Sequence, residues 1–274
     1  MTALPDTFPT PNLVALAHAL GPLVSIFDIR WVENCESTNS TLLEAPPDEN
    51  GKTHVLVATR QNAGRGRRGR RWLSWPGASL TFSVLWRFVP GTPAPAGLSL
   101  AVGLALARTL EKLGMSAVAL KWPNDVLAHG AKLAGVLVEL LPSGHGGAAA
   151  VIGIGMNLSL PEDADIPDRE RLDVTDLTSE MGDPPPLEEL LAAILHELYR
   201  TFSTYSFAGF SLLRNAWQHR NAFANLPVRV SGEGADIVGL CLGVDEDGAL
   251  LVRDDGGGGV RRVLAGEVSL RPAP

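Results

Sequence analysis

The stretch from residue 54 to residue 88 does most to restrict what this chain can fold into. Residues 54–59 (HVLVAT) and 79–88 (SLTFSVLWRF) are apolar runs of strand length. Between them lies Arg60-Gln61-Asn62-Ala63-Gly64-Arg65-Gly66-Arg67-Arg68-Gly69-Arg70-Arg71. Gly64 to Gly69 satisfies G-x-G-x-x-G, the pattern of a dinucleotide-binding turn. That pattern works only where an apolar helix begins within it and offers its N-terminus to pyrophosphate. Here Arg70-Arg71-Trp72-Leu73-Ser74-Trp75-Pro76-Gly77 follows, which cannot form the first turns of such a helix. The segment is therefore a basic, glycine-rich loop between two strands, and a doubly wound nucleotide fold is disfavoured.

The rest of the chain fits that reading. Residues 12–20 (NLVALAHAL) read as a short helix capped by Asn12 and stopped by Gly21-Pro22, after a Pro- and Thr-rich start (residues 1–11) expected to be disordered. Residues 27–32 form a strand. Ser37-Thr38-Asn39 opens a helical segment through Leu43, because Ser and Thr satisfy exposed N–H groups at helix starts. Residues 98–113 are apolar all round and predict a buried helix. Short strands are expected at 118–120 and 126–127, then longer ones at 132–141 and 149–158, joined by a flexible Ser143–Gly147 connection. Residues 161–176 are polar and acidic and suggest a mobile lid. Residues 187–202 and 207–223 predict a helical pair. From Leu226 onward, five short strand-like runs at 227–230, 235–242, 249–252, 260–264 and 267–270 alternate with Gly/Asp turns, as in a small all-β barrel. Strands fed by hairpins, with the long helices grouped apart, indicate an α+β protein.

The loop's chemistry suits an anion. Glycines let backbone fold closely over a ligand, and arginine forks grip phosphate or carboxylate oxygens while staying charged. The residues alone leave a solvated basic loop equally open. The chain carries 30 acidic and 23 basic residues, a formal charge of −7, so it is no general polyanion binder. Cys35 and Cys241 stand far apart without a Cys-x-x-Cys partner, against a disulfide framework or zinc site. No signal peptide is visible and no run approaches ~18 uninterrupted apolar residues, so a cytoplasmic protein without a membrane span is expected.

Several blocks, in order, resemble those of the biotin protein ligases. Arg60 to Arg70 resembles the family's biotin-binding loop, and Lys121-Trp122-Pro123-Asn124-Asp125 its KWPND segment. Lys132-Leu133-Ala134-Gly135-Val136-Leu137-Val138-Glu139 resembles the KLAGILVE strand, and Gly153-Ile154-Gly155-Met156-Asn157 the G-x-G-x-N strand. Ser37-Thr38-Asn39 matches the STN block, and Gly266-Glu267-Val268-Ser269-Leu270-Arg271 the closing strand. The resemblance implies a mixed sheet with helices like that of class II aminoacyl-tRNA synthetases over residues 25–225. It also implies a C-terminal SH3-like β-barrel at 226–274, with 1–24 as an N-terminal extension holding one short helix.

It further implies a reaction in two halves. Biotin and ATP give biotinyl-5′-AMP, and a lysine of a biotin carboxyl carrier protein then takes the biotin. Two anions meet in the first half, so positive charge is needed there, from Arg65 and Arg67 in the loop and Lys132 on the strand. Asp125 would orient the lysine amine or accept its proton. Ser37, Thr38, Asn39 and Gln61 are small neutral groups suited to biotin's ureido ring, with helix capping open as a second role for the first three. Gly64 and Gly66 belong to the biotin loop, and Gly135 and Gly155 would let ligand lie against backbone. Trp72 would be an apolar wall or simply a core aromatic. Arg67, Arg68, Arg70, Asn124, Asp125, Asn157 and Arg271 would meet the nucleotide, with magnesium (Mg2+) travelling with ATP rather than in a protein site.

Two departures from the family matter. Relatives that repress transcription carry an N-terminal winged helix, for which the residues before the first strand are too few, so no DNA binding is expected. Some relatives place a Trp in the polar lid to stack on adenine, and residues 159–180 contain none. The resemblance also suggests a homodimer through edge-to-edge sheet pairing. The rivals are a lipoate or octanoate ligase, against which the arginine loop and barrel speak, and a non-catalytic RNA-binding protein, against which the acidic charge speaks.

Overall fold

In the computed structural model the described residues are 11–88, 95–141, 149–161, 174–232, 236–265 and 269–273. Seven strands make one sheet: β1 (Phe27–Cys35), β2 (Thr53–Gln61), β3 (Ser79–Arg87), β4 (Val118–Lys121), β5 (Asp125–Ala128), β6 (Ala131–Leu141) and β7 (Ala149–Asn157). Their order is β1-β2-β3-β7-β6-β5-β4. Only β1 and β2 run parallel; the other neighbours are antiparallel. The helices are α1 (Leu13–Leu20), α2 (Thr38–Glu44), α3 (Leu98–Lys112), α4 (Leu177–Met181), α5 (Leu187–Ala208) and α6 (Arg214–Gln218).

The period of two along each strand sorts the sheet into unlike faces. Leu80, Phe82 and Val84 of β3, Ile152, Ile154 and Met156 of β7, and Ala134 and Val136 of β6 join one core with α1, α3 and α5. That core explains α3, which is buried on nearly every side and needs no polar face. The alternate residues are small or polar except for Leu137, namely Ser79, Thr81 and Ser83, then Gly153, Gly155 and Asn157, then Gly135, Leu137 and Glu139. Register sets them side by side. Ser83 is opposite Gly153, which is opposite Leu137; Thr81 is opposite Gly155, then Gly135, then Asp125. Helix α2 covers one end of this second face by packing Leu42 on Leu56, Leu85 and Val151. The remainder is left for the arginine loop.

A second sheet is made of β8 (Pro227–Ser231), β9 (Ile237–Val244), β10 (Leu250–Asp254), β11 (Val260–Val263) and β12 (Ser269–Pro272). All its neighbours are antiparallel, in the order β11-β10-β9-β8-β12. Side chains stitch it to the larger unit. Trp122 Nε1 donates to the Gly248 carbonyl at 3.1 Å, and Arg214 Nε donates to that of Val244 at 2.7 Å.

Several expectations need correction. The predicted break between two long helices at 202–207 is absent. Helix α5 continues because Thr201, Phe202 and Tyr205 keep its buried stripe going, and it stops at Gly209. The second helix shrinks to Arg214–Gln218. A short α4, capped by Asp176 accepting from Ser179 N–H, was not expected. Strand β1 runs three residues beyond its expected end, to Cys35. The expected disorder of residues 1–10, the flexible Ser143–Gly147 connection, most of the proposed lid (residues 162–173) and Gly266-Glu267-Val268 lie outside the described residues. The two cysteines are free.

Candidate active site

A cavity of about 480 Å³ opens on the small-residue face of the large sheet. Its floor is the glycine row of β6 and β7, its wall the arginine loop, and its far end the β4–β5 turn with β12 of the small unit.

One end of the cavity is neutral and polar. Ser37 caps α2 by accepting from Ser40 N–H. Thr38 donates from N–H and Oγ1 to Gln61 Oε1 at 2.7 and 3.2 Å. Ser83 Oγ, fully buried, lies 2.6 Å from both Thr38 Oγ1 and Asn39 Oδ1. Asn39 Nδ2 donates to the Leu137 carbonyl at 3.3 Å and to Glu139 Oε2 at 2.9 Å. The STN residues thus cap a helix and line the cavity at once.

The floor differs from expectation. A Cβ on Gly155 would overlap the indole of Trp72, and one on Gly153 would overlap the Asn39 amide. At Gly135 it would lie 3.3 Å from both Trp72 Cζ3 and Lys132 Nζ. The space above Gly155, assigned from sequence to ligand, holds the Trp72 ring. These glycines make room for the protein's own side chains, and Trp72 becomes the apolar surface of the cavity.

The loop is a small hairpin. Trp72 N–H donates to the Gly64 carbonyl at 2.8 Å, and Gly66 N–H to that of Arg70 at 2.7 Å. Arg65 and Arg71 face each other across it. Gly64 is glycine because a Cβ would overlap the Trp72 carbonyl oxygen. At the tip, Arg68 and Gly69 both take positive φ, 60° and 68°. Arg65 does not reach the anion end foreseen for it, since its guanidinium grips Glu139. Arg67 does reach it, donating to Asn124 Oδ1 at 3.3 Å and to the Ala265 carbonyl at 3.0 Å. Arg68 and Arg70 also line the cavity.

At the other end, Lys132 Nζ is 2.6 Å from Asp125 Oδ1, with both side chains largely buried. The same ammonium stands 5.7 Å from the Trp72 ring centroid. Asn124 Nδ2 donates to the Val136 carbonyl at 2.9 Å, locking the turn against β6. Asn157, expected to meet the nucleotide, donates from Nδ2 to the Thr175 carbonyl at 2.9 Å and so ties the end of β7 to the segment before α4. Arg271 of β12 completes the end. Burial pushes the Lys121 ammonium below the ordinary lysine range. Asp125 opposes that shift, and the charges of Lys132, Arg271 and Arg70 add to it. Asp125 is the one acidic side chain among the described residues lining this cavity, against Lys121, Lys132 and several arginines. The end is therefore built to receive negative charge.

Sequence reasoning assigned no role to Lys121, Glu139 or Ser83. Lys121 opens one quoted block and Glu139 closes another, and neither was given a task. Ser83 was visible as the third polar residue at alternating positions in an otherwise apolar strand.

Comparison with known proteins agrees with this geometry. The Biotin/lipoate A/B protein ligase family matches residues 31–157, and the Biotin protein ligase C terminal domain matches residues 225–271. The chain is 35% identical over 239 residues to the bifunctional ligase/repressor BirA of Escherichia coli, covering 87% of this chain and 72% of that protein. The chain belongs to the biotin protein ligase family. It is also 36% identical over 230 residues to the biotin–[acetyl-CoA-carboxylase] ligase of Paracoccus denitrificans, covering 81% of this chain and 92% of that one. Among solved structures, the biotin protein ligase of Aquifex aeolicus in complex with biotin and ATP superposes with a TM-score of 0.76 at 30% identity. That match covers 90% of this chain and 99% of the other.

Proposed function

We propose that this cavity joins biotin to ATP as biotinyl-5′-AMP, and that the chain then passes biotin to a lysine of a biotin carboxyl carrier protein. The observation that carries the reading is the division of one cavity into a neutral end and a cationic end with a single acid. In the first half a biotin carboxylate oxygen attacks the α-phosphorus, and the bond to pyrophosphate breaks. Arg67 and Lys132 hold the two anions together, since fixed positive charge offsets their repulsion as they meet. Lys121, Arg68, Arg70 and Arg271 take the remaining phosphate charge. Ser37, Thr38, Asn39 and Gln61 accommodate the ureido ring against Trp72, whose indole lies on the floor that Gly135 and Gly155 leave open, with Gly64 and Gly66 shaping the loop. In the second half the lysine amine attacks the acyl carbon and AMP leaves, with Asp125 orienting the amine. Asn124 positions Arg67, and Asn157 holds the segment before α4 beside the nucleotide.

Magnesium enters as MgATP; among the described residues, no group of three or more His, Cys, Asp or Glu side chains stands together. Residues 25–225 act as the catalytic domain and 226–274 as a small barrel domain whose Arg271 reaches the nucleotide. We place the chain in the cytoplasm and acting without DNA; among the described residues no helix is long and apolar enough to cross a membrane. A homodimer would pair through β1, since the opposite edge strand β4 already exchanges hydrogen bonds with Arg220 and Ala222. Sedimentation with biotinyl-AMP bound tests that pairing.

The deciding measurement is exchange of labelled pyrophosphate into ATP. Biotin supports it and lipoate does not; the reverse result assigns the cavity to the lipoate branch. Arg67→Ala and Lys132→Ala each slow exchange on the order of a hundredfold while leaving the folded state intact. Wild-type rates in both variants would remove their roles.

A further inference from the structure

Five arginines fall between Arg65 and Arg71, in a hairpin whose charges repel one another. Something must hold such a segment over the sheet. The structure assigns that task to Glu139: it is the positioning residue that latches the biotin loop, through Arg65, onto the polar end of the cavity. The inference rests on the reading of this cavity as a biotin site.

Glu139 projects from β6 on the same face as Gly135 and Leu137, yet does not line the cavity. Its Oε1 accepts from Arg65 Nη2 at 2.8 Å and its Oε2 from Arg65 Nη1 at 3.3 Å, a planar fork on a carboxylate. The same Oε2 accepts from Asn39 Nδ2 at 2.9 Å. Arg65 Nη1 also donates to Ser40 Oγ of α2 at 3.3 Å. Asn39 lies above Gly153, with Ser83 Oγ 2.6 Å from its Oδ1. One carboxylate thus joins two segments distant in sequence, the start of α2 and the loop, and fixes both against the sheet.

Two consequences follow from the chemistry. The charge on Glu139 offsets one guanidinium, so the hairpin lies down with less self-repulsion. Its oxygens also satisfy the Asn39 amide, which fixes which way the amide faces. A neutral isostere loses the first and weakens the second without opening a cavity. The Arg65 side chain is 47% exposed and that of Glu139 23%, so solvent and salt screen the pair and the effect is moderate. Arg65 acts as the loop's anchor here and Arg67 as its anion contact.

The test uses the full chain with Glu139→Gln, Glu139→Asp, Arg65→Met and the Glu139→Gln/Arg65→Met double variant. Trypsin cleavage at the loop arginines, without ligand, reads the latch directly. Biotin-dependent pyrophosphate exchange reads its effect on the reaction. In Glu139→Gln, loop cleavage speeds up several-fold and the KM for biotin rises roughly tenfold, the worth of one charge-assisted hydrogen bond. Its kcat stays near wild type, because Glu139 does not touch the reacting atoms. Glu139→Asp keeps the charge and recovers part of the loss. In loop cleavage the double variant behaves as Arg65→Met alone, because both changes release the same Arg65 contact; its KM exceeds that of Arg65→Met only by the weakened Asn39 contact. Wild-type cleavage and KM in Glu139→Gln, or additive cleavage effects in the double variant, would overturn the assignment. Should Glu139→Gln fail to fold, unchanged cleavage in both Arg65→Met and Glu139→Asp would do the same. If the wild-type chain shows no biotin-dependent exchange, the biotin reading fails while trypsin still reports whether the latch exists.

Discussion

At Gly155 the absence of a side chain fixes the position of a neighbour. A methyl there overlaps the Trp72 indole, so Gly155→Ala drives the ring off the floor. The backbone is not in the left-handed region, so the penalty is steric alone. It costs about 1–3 kcal/mol by overpacking, and denaturant unfolding together with a raised KM for biotin checks it. The Lys121 ammonium is a second case. Burial, then its cationic neighbours, lower its pKa, so between that lowered value and the ordinary lysine value the unfolded chain binds more protons than the folded one. Stability therefore rises with pH across this alkaline window. Phosphate charge restores the proton, so MgATP binding in the window takes one up, and Lys121→Met abolishes the uptake. Calorimetry in buffers of different ionisation enthalpy measures it. Much at this scale was legible in the sequence. Ser37, Thr38, Asn39, Gln61, Arg67, Lys132 and Asp125 all come to one cavity. The partner of Arg65 was not legible, because Glu139 and Arg65 lie 74 positions apart and meet only through sheet order.

At the level of elements, apolar runs of strand length bounded by polar or glycine-rich turns located every strand of the large sheet. Periodicity misplaced the break in α5. Phe207, the expected start of a second helix, is 85% exposed and lies on the outer face of the helix that began at Leu187. It missed α4, whose five residues are too few for a period to show. That helix is tethered by Glu180, which accepts from Thr175 Oγ1 at 2.6 Å and pairs with His129 Nδ1 at 2.6 Å beside the β5–β6 turn. The Thr175 hydrogen bond first, and His129 after it, hold the Glu180 carboxyl below the usual range while burial opposes them. The stability this contributes is present above the ordinary carboxylate pKa and is lost as pH falls through the lowered one. Unfolding measured at neutral and acidic pH is thus expected to lose less on acidification in Glu180→Gln than in the wild type.

For the whole molecule, the order of the quoted blocks foretold two units and their sequence, and the five strand-like runs after Leu226 foretold the smaller sheet. The seam between them was not foretold, since single hydrogen bonds such as Trp122 to Gly248 leave no periodic trace. Trp122→Phe keeps the packing and strands a buried carbonyl, a loss of about 1–2 kcal/mol that thermal unfolding will register. Arg67 crosses the same seam to Ala265, so the small unit helps hold the catalytic loop. The sheet under that loop carries one last implication. Its central rungs carry no side chains and are covered by Trp72 and Asn39, so no substitution at the glycines can deepen the cavity. Every replacement at Gly135, Gly153 or Gly155 subtracts space. Bulkier acids can gain entry only through changes in the walls, at Trp72 or Leu137, and a designer seeking a wider choice of vitamin analogues has to start from those two residues.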